Sequence, residues 1–229
     1  MKQFGRHARL IIAGICTSIA LCAPAATIYD NSFHDLLTRF SFGGREVGDQ
    51  IVLAGSERYL TTFSFEFYGT NTANPVAFSG SVEARVRFYI NDGPLFNGYA
   101  TPGTKFYDSD WFSVPNPTPR NTFVFTAGSD FPTGGLFIPA SEITWSIQFQ
   151  GMGGTDNVGI DIYSPPVVGG NYPDYWDFDG SSWHLMTNVV PMNFASLMQA
   201  SQVPEPSSAA FCLLGGLGLL AYAGAFRRK

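Results

Sequence analysis

Hydrophobic and polar residues alternate along several stretches of this chain. The clearest stretches are residues 63–67 (FSFEF), 82–90 (VEARVRFYI), 143–149 (ITWSIQF) and 158–162 (VGIDI). Successive side chains of a β-strand point to opposite faces of a sheet, so a period of two indicates a strand that buries one face and exposes the other. This pattern is typical of antiparallel sheets and argues against a mainly helical fold.

Turn-forming residues separate these stretches. They are NDGP at 91–94, PNPTP at 115–119, GMGG at 151–154 and SPP at 164–166. Further candidate strands cover residues 36–42, 50–54, 106–114, 123–125 and 183–186. About nine short strands joined by turns predict an all-β fold, an antiparallel two-sheet β-sandwich that is jelly-roll-like. We expect this ectodomain to cover residues 26–190, followed at 191–202 by a linker or, over 192–201 (MNFASLMQAS), a short amphipathic helix.

The first 25 residues have the three parts of a secretory signal peptide. Lys2, Arg6 and Arg9 form a basic start, residues 10–22 (LIIAGICTSIALC) are apolar or small, and residues 23–25 read Ala-Pro-Ala. This order predicts export and cleavage before Ala26. The alternative is a membrane anchor, but the apolar run is short for a hydrocarbon core of about 30 Å.

The other end of the chain also has three parts. Residues 203–206 read VPEP, residues 207–226 carry no charge, and Arg227, Arg228 and Lys229 close the sequence. Twenty uncharged residues predict a transmembrane helix, because a helix of that length spans about 30 Å. The terminal basic cluster acts as a stop-transfer signal, which keeps the ectodomain on the outer side.

This tail resembles the PEP-CTERM sorting signal over residues 203–229. The resemblance implies that a membrane-embedded cysteine protease, exosortase, recognises Pro204, Glu205 and Pro206. It further implies a Gram-negative host, anchoring in the inner membrane before processing, and release to the cell envelope or the extracellular space. The ectodomain also looks like the β-sandwich modules often found ahead of such tails, over residues 48–70, 121–131 and 142–163, and those modules have no agreed activity.

Cysteine and charge limit what the exported region does. Cys16, Cys22 and Cys212 all lie outside residues 26–203, which excludes a disulfide, a cysteine nucleophile and a thiolate metal site in that region. The same region holds seven basic and seventeen acidic residues, a net charge of −10. Such a surface repels nucleic acid, so we expect no nucleic-acid partner.

Aromatic and acidic residues are concentrated near the end of the predicted sandwich. The aromatic residues Tyr172, Tyr175, Trp176 and Trp183 are candidates for stacking on sugar rings, with ordinary core packing as the alternative. The interleaved Asp174, Asp177 and Asp179 are weak candidates for binding Ca²⁺, which needs six to eight oxygen ligands. Their alternative is that they are solvated loop residues, since the segment lacks a D-x-D-x-D-G loop.

Catalytic motifs are missing from the sequence. It has no G-x-S-x-G, no H-E-x-x-H and no phosphate-binding glycine loop, and residues 26–203 contain only two histidines, His34 and His184. We therefore expect a non-enzymatic surface protein of the envelope or extracellular matrix, without a cofactor unless it binds Ca²⁺. A carbohydrate-binding module for extracellular polysaccharide is the first alternative. A secreted hydrolase that uses a carboxylate pair is the second.

Overall fold

A computed structural model describes residues 25–202 of the chain. The predicted signal peptide up to Pro24 and the predicted sorting tail from Val203 onward lie outside the described residues. Seventeen β-strands and no helix make up the regular structure of residues 25–202. Accordingly, that part of the chain has no helix with the length and apolar character needed to cross a membrane.

The strands are short, apart from β4, β10 and β12. In chain order they are β1 (Ala26–Asn31), β2 (Asp35–Phe40), β3 (Glu46–Val52), β4 (Tyr59–Asn71), β5 (Glu83–Ile90), β6 (Leu95–Phe96), β7 (Tyr99–Ala100), β8 (Lys105–Asp108), β9 (Phe112–Ser113), β10 (Thr118–Thr126), β11 (Leu136–Phe137), β12 (Glu142–Gln150), β13 (Asp156–Tyr163), β14 (Gly170–Asn171), β15 (Tyr175–Phe178), β16 (Trp183–Met186) and β17 (Ser196–Ser201).

Two large antiparallel sheets form a sandwich. Sheet A has the order β1-β17-β4-β13-β2, with β10 and β11 also paired to β4. Sheet B has the order β16-β15-β3-β12-β5-β8, with β14 paired to β3 and β9 to β5. A separate hairpin consists of β6 and β7. The all-β, antiparallel, two-sheet prediction is therefore confirmed.

The core between the sheets is aromatic. Phe63, Phe65 and Phe67 of β4 are almost completely buried, as the alternating pattern predicts. Phe63 packs edge-on against Trp145 of β12 and Phe88 of β5, with ring centroids 5.2 and 5.1 Å apart. Such edge-to-face pairs add about 0.5–1.5 kcal/mol to the free energy of area burial, which helps to hold the two sheets together.

The prediction of a linker or a short helix after residue 190 is wrong, because residues 196–201 form strand β17. Ser196–Ser201 lies between β1 and β4 in sheet A, and alternate residues of the strand, including Met198 and Ala200, are buried. The segment SLMQAS has weak hydrophobic contrast, because small residues occupy most of its buried positions. Its partners on both sides satisfy its backbone, so the sheet continues to within three residues of Pro204.

The predicted strand over residues 106–114 is divided in two. The structure has β8 up to Asp108 and β9 from Phe112, and both strands pair with β5. Between them Asp110 has a φ of 55°, a left-handed conformation that does not fit a strand. The sequence pattern predicted one strand here and gave no signal for this interruption.

Candidate functional site

A cleft of about 690 Å³ opens at one end of sheet B. Gln50 of β3, Ile90 of β5 and Glu142 of β12 lie at this end, and the β6–β7 hairpin and residues 172–174 complete the cleft. This volume is within the range of about 300–1,000 Å³ that is usual for small-molecule sites.

A chain of hydrogen bonds fixes four side chains of the cleft. The indole N–H of Trp176 donates to Oε1 of Gln50 at 2.9 Å. The Gln50 amide in turn donates to Oε1 of Glu142, which also accepts a 3.3 Å hydrogen bond from the hydroxyl of Tyr172. These residues come from three separate parts of the sequence, and their mutual bonds hold them in one arrangement before any ligand arrives.

The hairpin contributes an exposed aromatic ring. Asn97 and Gly98, between β6 and β7, both have positive φ angles of 52° and 88°. Two such residues form the tight turn that suits a two-residue β-hairpin, and Asn-Gly is its strongest sequence signal. The hairpin places Tyr99 at the cleft with 59% of its surface exposed.

Only two of the four predicted aromatic residues line the cleft. Tyr172 does so with 42% of its surface exposed, and Trp176 does so from a fully buried position. Tyr175 is buried on the core side, where its ring lies 4.9 Å from that of Phe40. Trp183 packs on Tyr89 and Phe178, at 5.6 and 5.0 Å, and does not line the cleft.

The three predicted calcium ligands have different environments. Asp174 lines the cleft, Asp177 is buried and accepts a hydrogen bond from Arg45, and Asp179 accepts bonds from its own turn and from His184. Within residues 25–202, no group of three or more His, Cys, Asp or Glu side chains could hold a metal ion. The structure thus does not bring the three aspartates together, and the absence of a cofactor stays a prediction.

The histidine of this region is not part of a nucleophile relay. His184 Nε2 lies 2.9 Å from Oδ2 of Asp179, and the Ser181 hydroxyl donates to Oδ1 of the same carboxylate. In a serine hydrolase the serine hydroxyl bonds to the histidine, whereas here both bond to the aspartate. The contact stabilises the β15–β16 turn.

The cleft is acidic. Glu142 and Asp174 are its charged residues, and none of the described residues that line it is Lys, Arg or His. Burial, the charge of Glu142 and the hydrogen bond to that carboxylate raise the pKa of the Tyr172 phenol above its usual value. The Glu142 carboxylate therefore disfavours a second negative charge on the neighbouring Tyr172 phenol.

Asn91 adds a polar group that the protein does not fully satisfy. Its Oδ1 accepts a 2.9 Å hydrogen bond from the Thr144 hydroxyl, but its Nδ2 is shielded and has no hydrogen-bond partner among residues 25–202. Sequence reasoning missed Asn91, Tyr99, Gln50 and Glu142 as cleft residues. The Asn97-Gly98 dipeptide could have predicted the hairpin that carries Tyr99. The sequence around Asn91, Gln50 and Glu142 has no local pattern that indicates a cleft.

Together, the residues that the structure describes form a β-sandwich with a cleft whose polar side chains are bonded to each other. The family model of the PEP-CTERM protein-sorting motif matches residues 202–229. This match confirms the predicted sorting tail, is consistent with an exosortase substrate, and implies export with membrane anchoring before cleavage. It does not cover the sandwich. Neither the curated proteins nor the solved structures contained a match to this chain.

Proposed function

We propose that this chain is a non-enzymatic protein of the cell envelope or extracellular matrix that exosortase sorts and whose sandwich binds carbohydrate. The sorting motif at residues 202–229 supports the first part. Carbohydrate binding is supported by the exposed residues Tyr99 and Tyr172, which line the cleft together with the hydrogen-bonded side chains described above. Aromatic rings bury the C–H faces of sugars, while nearby amides and carboxylates bond to the hydroxyl groups.

The arrangement of the cleft favours binding over catalysis. Oε1 of Glu142 already accepts two hydrogen bonds from neutral groups. The hydrolase alternative would use Glu142 and Asp174 as its carboxylate pair, one of them as a proton donor. If the wild-type protein released reducing ends from a polysaccharide and Asp174→Asn did not, the hydrolase alternative would be supported against our proposal.

A glycan array tests carbohydrate binding. We expect the full-length protein in detergent to bind a subset of the glycans, and we expect Tyr99→Ala and Tyr172→Ala to lose that binding. Phe137→Ala is the matched control, because this ring is 53% exposed but lies on β11 outside the cleft. Equal loss in all three variants would mean that the cleft is not the binding site.

A processing assay tests the sorting proposal. Glu205→Ala leaves the uncharged span at 207–226 and the terminal basic cluster unchanged, so membrane insertion should persist. In a strain that contains exosortase, we expect the variant to remain uncut while the wild-type protein is processed. Processing of Glu205→Ala at the wild-type rate would refute recognition through this motif.

A further inference from the structure

Arginine side chains pair with some of the carboxylates on the sheets but with neither carboxylate of the cleft. On the sheets, arginine side chains pair with buried or half-buried carboxylates: Arg87 with Glu46, Arg85 with Asp108, and Arg45 with Asp177. Within residues 25–202, neither Glu142 nor Asp174 forms an ion pair. The cleft therefore keeps two negative charges that the protein itself does not neutralise.

The hydrogen-bond donors to Glu142 leave its charge in place. Both donors are neutral groups, the Gln50 amide and the Tyr172 phenol, and both bond to Oε1. They orient the carboxylate without compensating it. A ligand that carries a positive charge would complete this pairing, whereas a negatively charged ligand would face two uncompensated carboxylates.

The aromatic rings of the cleft also favour a positively charged ligand. Tyr99 and Tyr172 line the same cleft as these carboxylates, and both are partly exposed there. The face of a tyrosine ring attracts an ammonium group through its quadrupole, and the attraction is strongest where water is excluded. Carboxylates and tyrosine faces together form a site that suits an amine attached to an apolar ring face, as in an amino sugar.

We propose that the cleft selects sugars that carry a free, protonated amino group. It discriminates against the N-acetylated form, which has no charge, and against uronic acids, which have the opposite charge. This inference rests on the proposed carbohydrate-binding function and names the ligand class for the same cleft. The net charge of the ectodomain also favours a cationic ligand, because residues 26–203 have ten more acidic than basic residues.

The test compares three oligosaccharide probes of equal length. Titration calorimetry at about pH 6 and low salt would use full-length protein in detergent with oligomers of glucosamine, N-acetylglucosamine and glucuronic acid. We expect the glucosamine oligomer to bind about tenfold more tightly than its acetylated counterpart, from one ion pair and one cation–π contact. The glucuronic acid oligomer should not bind, and high salt should reduce the preference for the amine.

Variants locate the charge that produces the preference. Glu142→Gln and Asp174→Asn should each reduce the preference for the amine several-fold, and a melting curve checks that each variant is folded. Glu83→Gln is the control, because Glu83 begins β5 while Ile90, at the other end of that strand, lines the cleft. Seven residues of strand separate Glu83 from Ile90 by roughly 23 Å, so the charge of Glu83 acts on a ligand in the cleft from much farther away than the charges of Glu142 and Asp174.

The outcomes separate the two proposals. Equal affinity for the amino and acetylated oligomers, or tighter binding of the uronic acid, would overturn the charge selectivity and leave carbohydrate binding standing. If none of these oligomers binds and a wider glycan array is also negative, carbohydrate binding itself is overturned. An unchanged amine preference in both cleft variants would equally refute the role of Glu142 and Asp174.

Discussion

The backbone N–H of Phe194 donates a 2.9 Å hydrogen bond to Oδ2 of Asp49, and both residues are completely buried. Oδ1 of Asp49 has no partner among residues 25–202. Burial removes the hydration of the charged form and raises the pKa of Asp49 well above its usual value, although the Phe194 bond opposes the shift. An ionisable group thus lies in the core between the sheets.

Asp49→Asn should stabilise the protein at neutral pH. The native pKa lies above the unfolded value of 3.8, so the wild type loses stability as pH rises from about 4 through the native pKa. We expect the variant to gain more than about 1 kcal/mol at pH 7 and nothing below pH 3.8. Urea unfolding of residues 25–202 at several pH values measures the difference, and a pH-independent difference would contradict the assignment.

Asp108→Asn should show the opposite pH dependence. Burial alone would raise the pKa of Asp108, but hydrogen bonds from Arg85 and Lys105 outweigh it and hold the pKa well below 3.8. The carboxylate therefore stabilises the fold above pH 3.8, and this contribution disappears as pH falls through the native pKa. We expect a loss of about 1–2 kcal/mol at pH 7.

The same urea series measures this loss. Asp110→Asn is the matched control, because Asp110 is exposed and lies two residues away. The control should change stability by less than about 0.5 kcal/mol. A loss for Asp108→Asn that does not shrink as pH falls from 3.8 through the native pKa would show that packing, and not the charge, is responsible.

Two aromatic residues of the cleft should differ in their contribution to stability. Trp176 is fully buried, so Trp176→Ala should cost about 3–5 kcal/mol of unfolding free energy. Tyr172 is 42% exposed, and Tyr172→Ala should cost less than about 1 kcal/mol while it abolishes ligand binding. Chemical denaturation compares the two, and similar losses of stability would contradict the different burial.

Removal of β17 should prevent folding. A fragment of residues 25–195 lacks the strand that lies between β1 and β4, and it loses the buried side chains of Met198 and Ala200. The two neighbouring strands would then have unpaired backbone groups at their edges. We expect residues 25–202 to give a cooperative melting transition and residues 25–195 to give none, as circular dichroism would detect. A folded shorter fragment would restore the linker interpretation.

Local patterns predicted the strands whose two faces differ most in polarity. In residues 63–67 and 143–149, large apolar residues alternate with polar ones, and these segments became β4 and β12 with the expected buried faces. The pattern failed at Ser196–Ser201, where small residues occupy buried positions, and at Asp110, where a left-handed residue interrupts the pairing with β5. At Ser196–Ser201, pairing with β1 and β4, and not local hydrophobicity, decides the structure.

The sequence by itself determined the all-β class, the faces that form the core and the sorting tail, because each depends on residues that are close together in the chain. Only the tertiary structure decided which aromatic residues reach solvent. Tyr172 and Trp176 are four residues apart in one segment, yet the first is 42% exposed and the second is fully buried. Their exposure depends on Gln50 and Glu142, which are distant in sequence and become neighbours only when β3, β12 and β15 join one sheet.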